Sequence, residues 1–190
     1  MRTPSTLLAA LGLAATLGAC GPENGEGFYA LGSVRATVTD SSGTPTTTGF
    51  EFAQQSRIDP SLPQGTSAGF TGTCQIGTAS RVARITRVGS TDPHGLSEIS
   101  FTMPGWDQDN CTSCEHGSVA MTLDGATFSG VEQRGGAQTA CMFNAVRRGS
   151  FGMQLDVTCH GLAATGDPRS VDLNTTLTLD GCDAPSTNGM

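Results

Sequence analysis

The sequence predicts an all-β protein, an antiparallel β-sandwich or flattened barrel stapled by disulfides. Three observations carry that prediction. Several stretches alternate apolar with polar residues at a period of two, among them SVRATVTD, SEISFTM, MQLDVTC and VDLNTTLTL. Beyond the first twenty residues, no segment carries a 3.6-residue apolar stripe of useful length. Short strand-like segments follow one another at close and fairly regular spacing, in a chain with 26 glycines, and the separators between them are rich in glycine, proline, serine and aspartate.

In chain order the strand-like segments are 29–39, 49–54, 68–76, 81–88, 97–103, 118–123, 127–131, 140–146, 150–158 and 171–179. Between them lie DSSGTPTTT, DPSLPQGTS, STDPHG and ATGDPRS, whose composition suits loops. The stretch LDGA at 123–126 places Asp-Gly between two strand patterns, the signal of a two-residue hairpin turn. RRGS at 147–150 is expected to close a second hairpin. No repeat of fixed length is evident, and one domain over 29–182 with a loose tail over 183–190 accounts for the pattern.

The chain opens MRTPSTLLAALGLAATLGAC, with Arg2 ahead of an apolar and small-residue run. That run is shorter than the about 20 residues of a membrane span but suits the apolar region of a secretory leader. It ends Leu17-Gly18-Ala19-Cys20, which resembles the lipobox of bacterial lipoproteins. The resemblance implies a leader over 1–19 removed before Cys20, a diacylglycerol on the Cys20 thiol, acylation of the new amino terminus by palmitate or a similar chain, and a tether over 20–28. It also implies anchorage in the cell envelope. Gly21 stands where an aspartate would favour inner-membrane retention, so the outer membrane is the expected destination.

The net charge is −7, and loss of Arg2 with the leader makes it one unit more negative. No basic patch interleaved with aromatics is present, so nucleic-acid binding has no electrostatic footprint. Attraction to anionic headgroups is equally unsupported, which leaves the lipid on Cys20 as the membrane contact. All ten basic residues are arginine. Schiff-base and Ser-Lys chemistries, which need a lysine amine, are therefore excluded.

With Cys20 lipidated, Cys74, Cys111, Cys114, Cys141, Cys159 and Cys182 remain, an even set in an exported domain and hence candidates for disulfides. The segment NCTSCEHG at 110–117 raises two other chemistries. A redox dithiol of Cys111 and Cys114 would sit at a helix N-terminus, whose dipole lowers a thiol pKa, but the flanks GWDQDN and EHGSVAMTL do not read as a helix start. A zinc site would combine Cys111, Cys114 and His116 with a fourth ligand such as Cys141, yet no second CxxC or HxxxH supports it. The residues favour staples, without choosing their connectivity.

Other motifs are weaker. GTSAG at 65–69 matches GxSxG, but a nucleophile at Ser67 needs a helix after it and FTGTCQI is strand-like. His94, His116 and His160 each stand beside glycine in loop-like sequence. DQDN at 107–110, with Glu115 nearby, fails the EF-hand template because Cys111 takes the fifth position. Trp106 and Tyr29, the sole Trp and Tyr, are the candidate stacking platforms for a sugar. No cofactor and no catalysis are expected.

Three segments, FTGTCQIGTASRVARI, VAMTLDGATFSG and SFGMQLDVTC, together resemble the small mycobacterial lipoprotein antigens of the nineteen-kilodalton type. In that family the first and last non-lipid cysteines are bonded, which maps onto Cys74 and Cys159. The resemblance implies an envelope antigen or adhesin-like role rather than a reaction. The expected function is thus a lipid-anchored envelope protein with a binding or structural role. The alternatives are a carrier or sensor of a small apolar or glycolipid ligand held between sheets, and a redox or metal protein using Cys111, Cys114 and His116.

Overall fold

The computed structural model describes residues 27–59, 69–77, 80–88, 95–105, 117–132 and 140–183. They form ten strands and no helix: β1 (Phe28–Thr39), β2 (Pro45–Ile58), β3 (Gly69–Ile76), β4 (Ser80–Val88), β5 (Leu96–Pro104), β6 (Ser118–Leu123), β7 (Ala126–Val131), β8 (Ala140–Arg148), β9 (Gly152–Leu162) and β10 (Ser170–Asp180). Each strand expected from the alternation is present. The largest difference is β2, which begins at Pro45, inside a segment expected to be loop. β2 is an edge strand, where a missing N–H costs no ladder bond, and the threonines after Pro45 favour extended backbone.

Two antiparallel five-stranded sheets result, ordered β2-β1-β10-β9-β8 and β3-β4-β5-β6-β7. The second is a simple meander. The first is assembled from both ends of the domain, because β1 pairs with β10 from Tyr29↔Asp180 to Thr39↔Ser170. Isolated parallel bridges, Asp59↔Thr71 and Glu132↔Cys141, bring the two sheets together at opposite corners without closing a barrel. The architecture is a sandwich. Both hairpins expected from the sequence form: Asp124 and Gly125 carry the β6–β7 turn with positive φ of 52° and 78°, and Arg148 pairs with Gly152 across the β8–β9 turn.

The inward positions of both sheets supply one core. Phe28, Phe50 and Phe52 from the first sheet and Phe101 and Phe128 from the second are all buried, with Ile85, Ile99, Met121, Leu155, Val157, Leu173 and Leu177 among them. Phe70 packs edge-on against Phe50 and Phe52 at centroid distances of 5.1 and 4.9 Å. Arg87 of β4 lies over the Phe50 ring at 5.0 Å and donates to Gly49 O at 2.7 Å, pinning the second sheet to β2. Arg81, buried on β4, donates through Nε to Pro104 O.

One end of the sandwich is held by an ionic clamp. Arg169, in the β9–β10 loop, donates to both carboxylate oxygens of Asp167, at 2.9 Å from Nε to Oδ1 and 2.6 Å from Nη2 to Oδ2. Its Nη1 donates to Asp124 Oδ2 in the β6–β7 turn of the other sheet. These bonds hold the Asp167 carboxyl below the usual carboxylate range and push the Arg169 guanidinium upward.

Thr175 interrupts this apolar interior. It is only 2 % exposed, on the inner face of β10, and its hydroxyl has no hydrogen-bond partner among the described residues. A buried hydroxyl without a partner costs desolvation energy, and valine keeps the shape without the polar atom. Thr175→Val is therefore expected to stabilise the protein by about 1 kcal/mol in urea denaturation. A lower midpoint for the variant would mean that the hydroxyl is satisfied in solution.

Candidate functional site

Most residues singled out by motif lie outside the described residues: Cys20, Ser67, His94, Trp106, Asp107–Asn110 as a segment, Cys111, Cys114, Glu115 and His116. What flanks them is informative. Gly69, the last residue of GTSAG, opens strand β3, and the chain after NCTSCEHG continues into strand β6. Among the described residues no three His, Cys, Asp or Glu side chains gather as a metal site, and no helix is long and apolar enough to cross a membrane.

The other four cysteines form two bridges, Cys74–Cys182 and Cys141–Cys159. The pair Cys74–Cys159 implied by the antigen resemblance is therefore not formed. The reason is strand order. Cys159 on β9 stands directly opposite Cys141 on β8 within the first sheet, with their Cα atoms 4.0 Å apart. Cys74 belongs to β3, an edge of the second sheet, and is reached by the chain that leaves β10. There Asp183 pairs with Gln75, its N–H donating to Cys74 O at 2.8 Å and its carbonyl accepting from Ile76 N at 3.0 Å. That alignment delivers Cys182 to Cys74.

His160 is not in a loop. It lies on β9, beside a bulge created where Val171↔Leu162 gives way to Leu173↔Cys159, so that His160 and Gly161 together oppose Asp172. Gly161 takes a positive φ of 65°, as the bulge requires. Its N–H donates to Asp172 Oδ1 at 2.9 Å, and His160 Nδ1 lies 3.7 Å from the same oxygen.

This bulge borders a cleft of about 300 Å³ on the outer face of the first sheet, lined by Arg35, Thr37, Thr47, Thr158, His160, Asp172, Leu173 and Asn174. A second, shallower depression of about 230 Å³ shares Arg35 and Thr47 and extends past Gly49 to Glu51. Gly49 opposes Arg35 in the β1–β2 register, and a Cβ there would lie 2.0 Å from Val34 O. The close backbone approach therefore keeps that position without a side chain, and the depression stays open beside it. Together the two form one groove across β2, β1, β10 and β9.

The lining comes from outward positions of the alternation. Arg35 pairs in register with Asn174, and Asn174 with Thr158, so the three stand in a row across the sheet. Arg35, Thr37, Thr47, Thr158 and Asn174 make no side-chain hydrogen bond or ion pair among the described residues. The groove thus presents donors and acceptors that the protein does not consume internally. Sequence reasoning named His160 but missed Arg35, Asp172 and Asn174. The signal was present only as polar positions alternating with buried ones on two strands distant in the chain.

Tyr29, one of the candidate sugar platforms, is 43 % exposed on β1, paired with Asp180 and Arg57 at the far end of that strand from Thr37. It is not part of the groove lining. Compared with known proteins, the chain matches no family model, no curated sequence and no solved structure.

Proposed function

We propose that the chain is an exported, lipid-anchored cell-envelope protein that acts by binding or as structure, without catalysis and without a resident cofactor. The observation that supports this most is the pair of buried disulfides in a chain whose leader-like start ends Leu17-Gly18-Ala19-Cys20. Disulfides persist in oxidising compartments, and the lipobox-like end of the leader supplies the anchor. Membrane contact is through lipid on Cys20, in the outer membrane, and nucleic acid is not a partner. The groove on the outer face of the first sheet is the binding surface in this reading. The interior filled by Phe28, Phe50, Phe52, Phe101 and Phe128 gives a carrier of apolar ligands no support.

Intact-mass and peptide mass spectrometry on protein extracted from native membranes tests the anchor. The expected amino-terminal peptide begins at Cys20 and carries acyl chains, and Cys20→Ala abolishes both the modification and membrane retention. An unmodified Cys20 in membrane-extracted protein would overturn the proposal. Separation of inner and outer membranes then tests the destination.

A further inference from the structure

We infer that the groove formed by Arg35, Thr37, Thr47, Thr158, His160, Asp172 and Asn174 binds a short neutral glycan. This deepens the reading of the chain as an envelope binding protein and rests on its binding role, but not on the lipid at Cys20.

The chemistry of the lining selects the ligand class. Arg35 supplies only donors and Asp172 only acceptors, whereas Asn174 and the three threonine hydroxyls supply both. A ligand of one charge sign meets an opposing group within the same groove: an anion faces Asp172 and the net charge of −7, and a cation faces Arg35. An apolar ligand finds no apolar side chain presented outward, since Leu173 is buried. Sugar hydroxyls, each both donor and acceptor, match an interleaved set of this kind without leaving a group unpaired. Neighbouring strands lie about 4.8 Å apart, so four strands present a ladder of polar groups roughly 14 Å across, suited to an extended oligosaccharide rather than a single sugar.

The groove is also built to hold its shape. β1 and β10 are central strands of the sheet, and the polar groups on them project from a pleat whose other face is the core. At β9 the bulge at His160–Gly161 re-aims the backbone so that Gly161 N holds the Asp172 carboxylate in place. At β2 the obligate glycine leaves the groove open toward Glu51. Threonine, asparagine and aspartate are short, so little side-chain freedom is lost when a ligand orders them. No aromatic ring other than the His160 imidazole lines the site, and specificity therefore comes from hydrogen-bond pattern rather than stacking.

The test is binding of the purified full chain to a printed panel of neutral, anionic and cationic oligosaccharides. Retention of neutral oligosaccharides is expected, weakened about tenfold by Arg35→Ala, the loss expected for one charge-assisted hydrogen bond. Asn174→Ala and His160→Ala are expected to weaken binding as well. Arg148→Ala removes an equal charge on β8, outside the groove, and is expected to leave binding unchanged. These side chains are exposed or paired only at the surface, and an unchanged unfolding midpoint in each variant shows that the fold is retained. Binding of anionic or cationic oligosaccharides alone, of none, or equal binding by wild type and Arg35→Ala would each overturn the inference. None of these outcomes bears on acylation of Cys20, which the mass measurement decides separately.

Discussion

Replacing both Cys74 and Cys182 by serine is expected to lower the unfolding free energy by about 4–5 kcal/mol. The bridge spans a sequence separation of 108, so its removal releases a long closed loop in the unfolded ensemble. In the folded state both cysteines are buried, at 2 % and 0 % exposure. They fasten the chain end beyond β10 to β3, where the pairing of Asp183 with Gln75 adds a short parallel rung to the sheet edge. Cys182 N also donates to Phe151 O at 2.8 Å, so the same segment touches the β8–β9 turn. The second bridge, Cys141–Cys159, has a separation of 18 and joins strands already adjacent in the ladder. Its double-serine variant is expected to lose less, about 3 kcal/mol. Urea denaturation of the two double variants beside the wild type reads the order directly. An equal loss in both would show that loop length does not govern the stabilisation here.

Gly32→Ala is expected to cost roughly 3 kcal/mol, although it adds a single methyl group. Gly32 sits in β1 at φ 120°, a conformation that L-residues avoid, and a Cβ would lie 2.1 Å from Thr176 O. The obstacle is backbone of β10, which cannot rotate away as a side chain would. The position also marks the irregularity in the β1–β2 ladder, where Ala30↔Ser56 jumps to Gly32↔Phe52. Gly43→Ala separates the two contributions: its φ is 80°, but no atom lies within 4 Å of the added carbon. Its expected cost is about 1 kcal/mol, the conformational part alone. If thermal and urea denaturation gave both variants the same stability, the close approach of β1 and β10 would carry no weight.

The chain-local features of this fold were legible in the amino-acid order. Strand-like composition between loop-like separators located all ten strands, and in several of them a period-two alternation marked the face that meets the core. Asp124-Gly125 announced its turn because few residue pairs take positive φ twice in succession. The boundary of β2 at Pro45 was missed because proline reads as a breaker unless the strand is known to be an edge. The end of β9 was missed for a related reason: the glycine that looked like a loop signal, Gly161, is the bulge residue.

By itself, then, the sequence determined an all-β chain of ten strands, the two β-hairpins around Asp124 and Arg148, and the apolar identity of the core. Which strands become neighbours was decided by tertiary structure. Pairing of β1 with β10 joins segments that share no local signal, and only that pairing lines up Arg35 with Asn174 and Thr158. The same closure places Cys182 against Cys74 and leaves Cys159 to Cys141, against the pairing that resemblance implied. A polar residue on an outward strand position looks alike whether it faces open water or helps line a groove. The difference lies in its neighbours across the sheet, and those are fixed when the two ends of the domain meet.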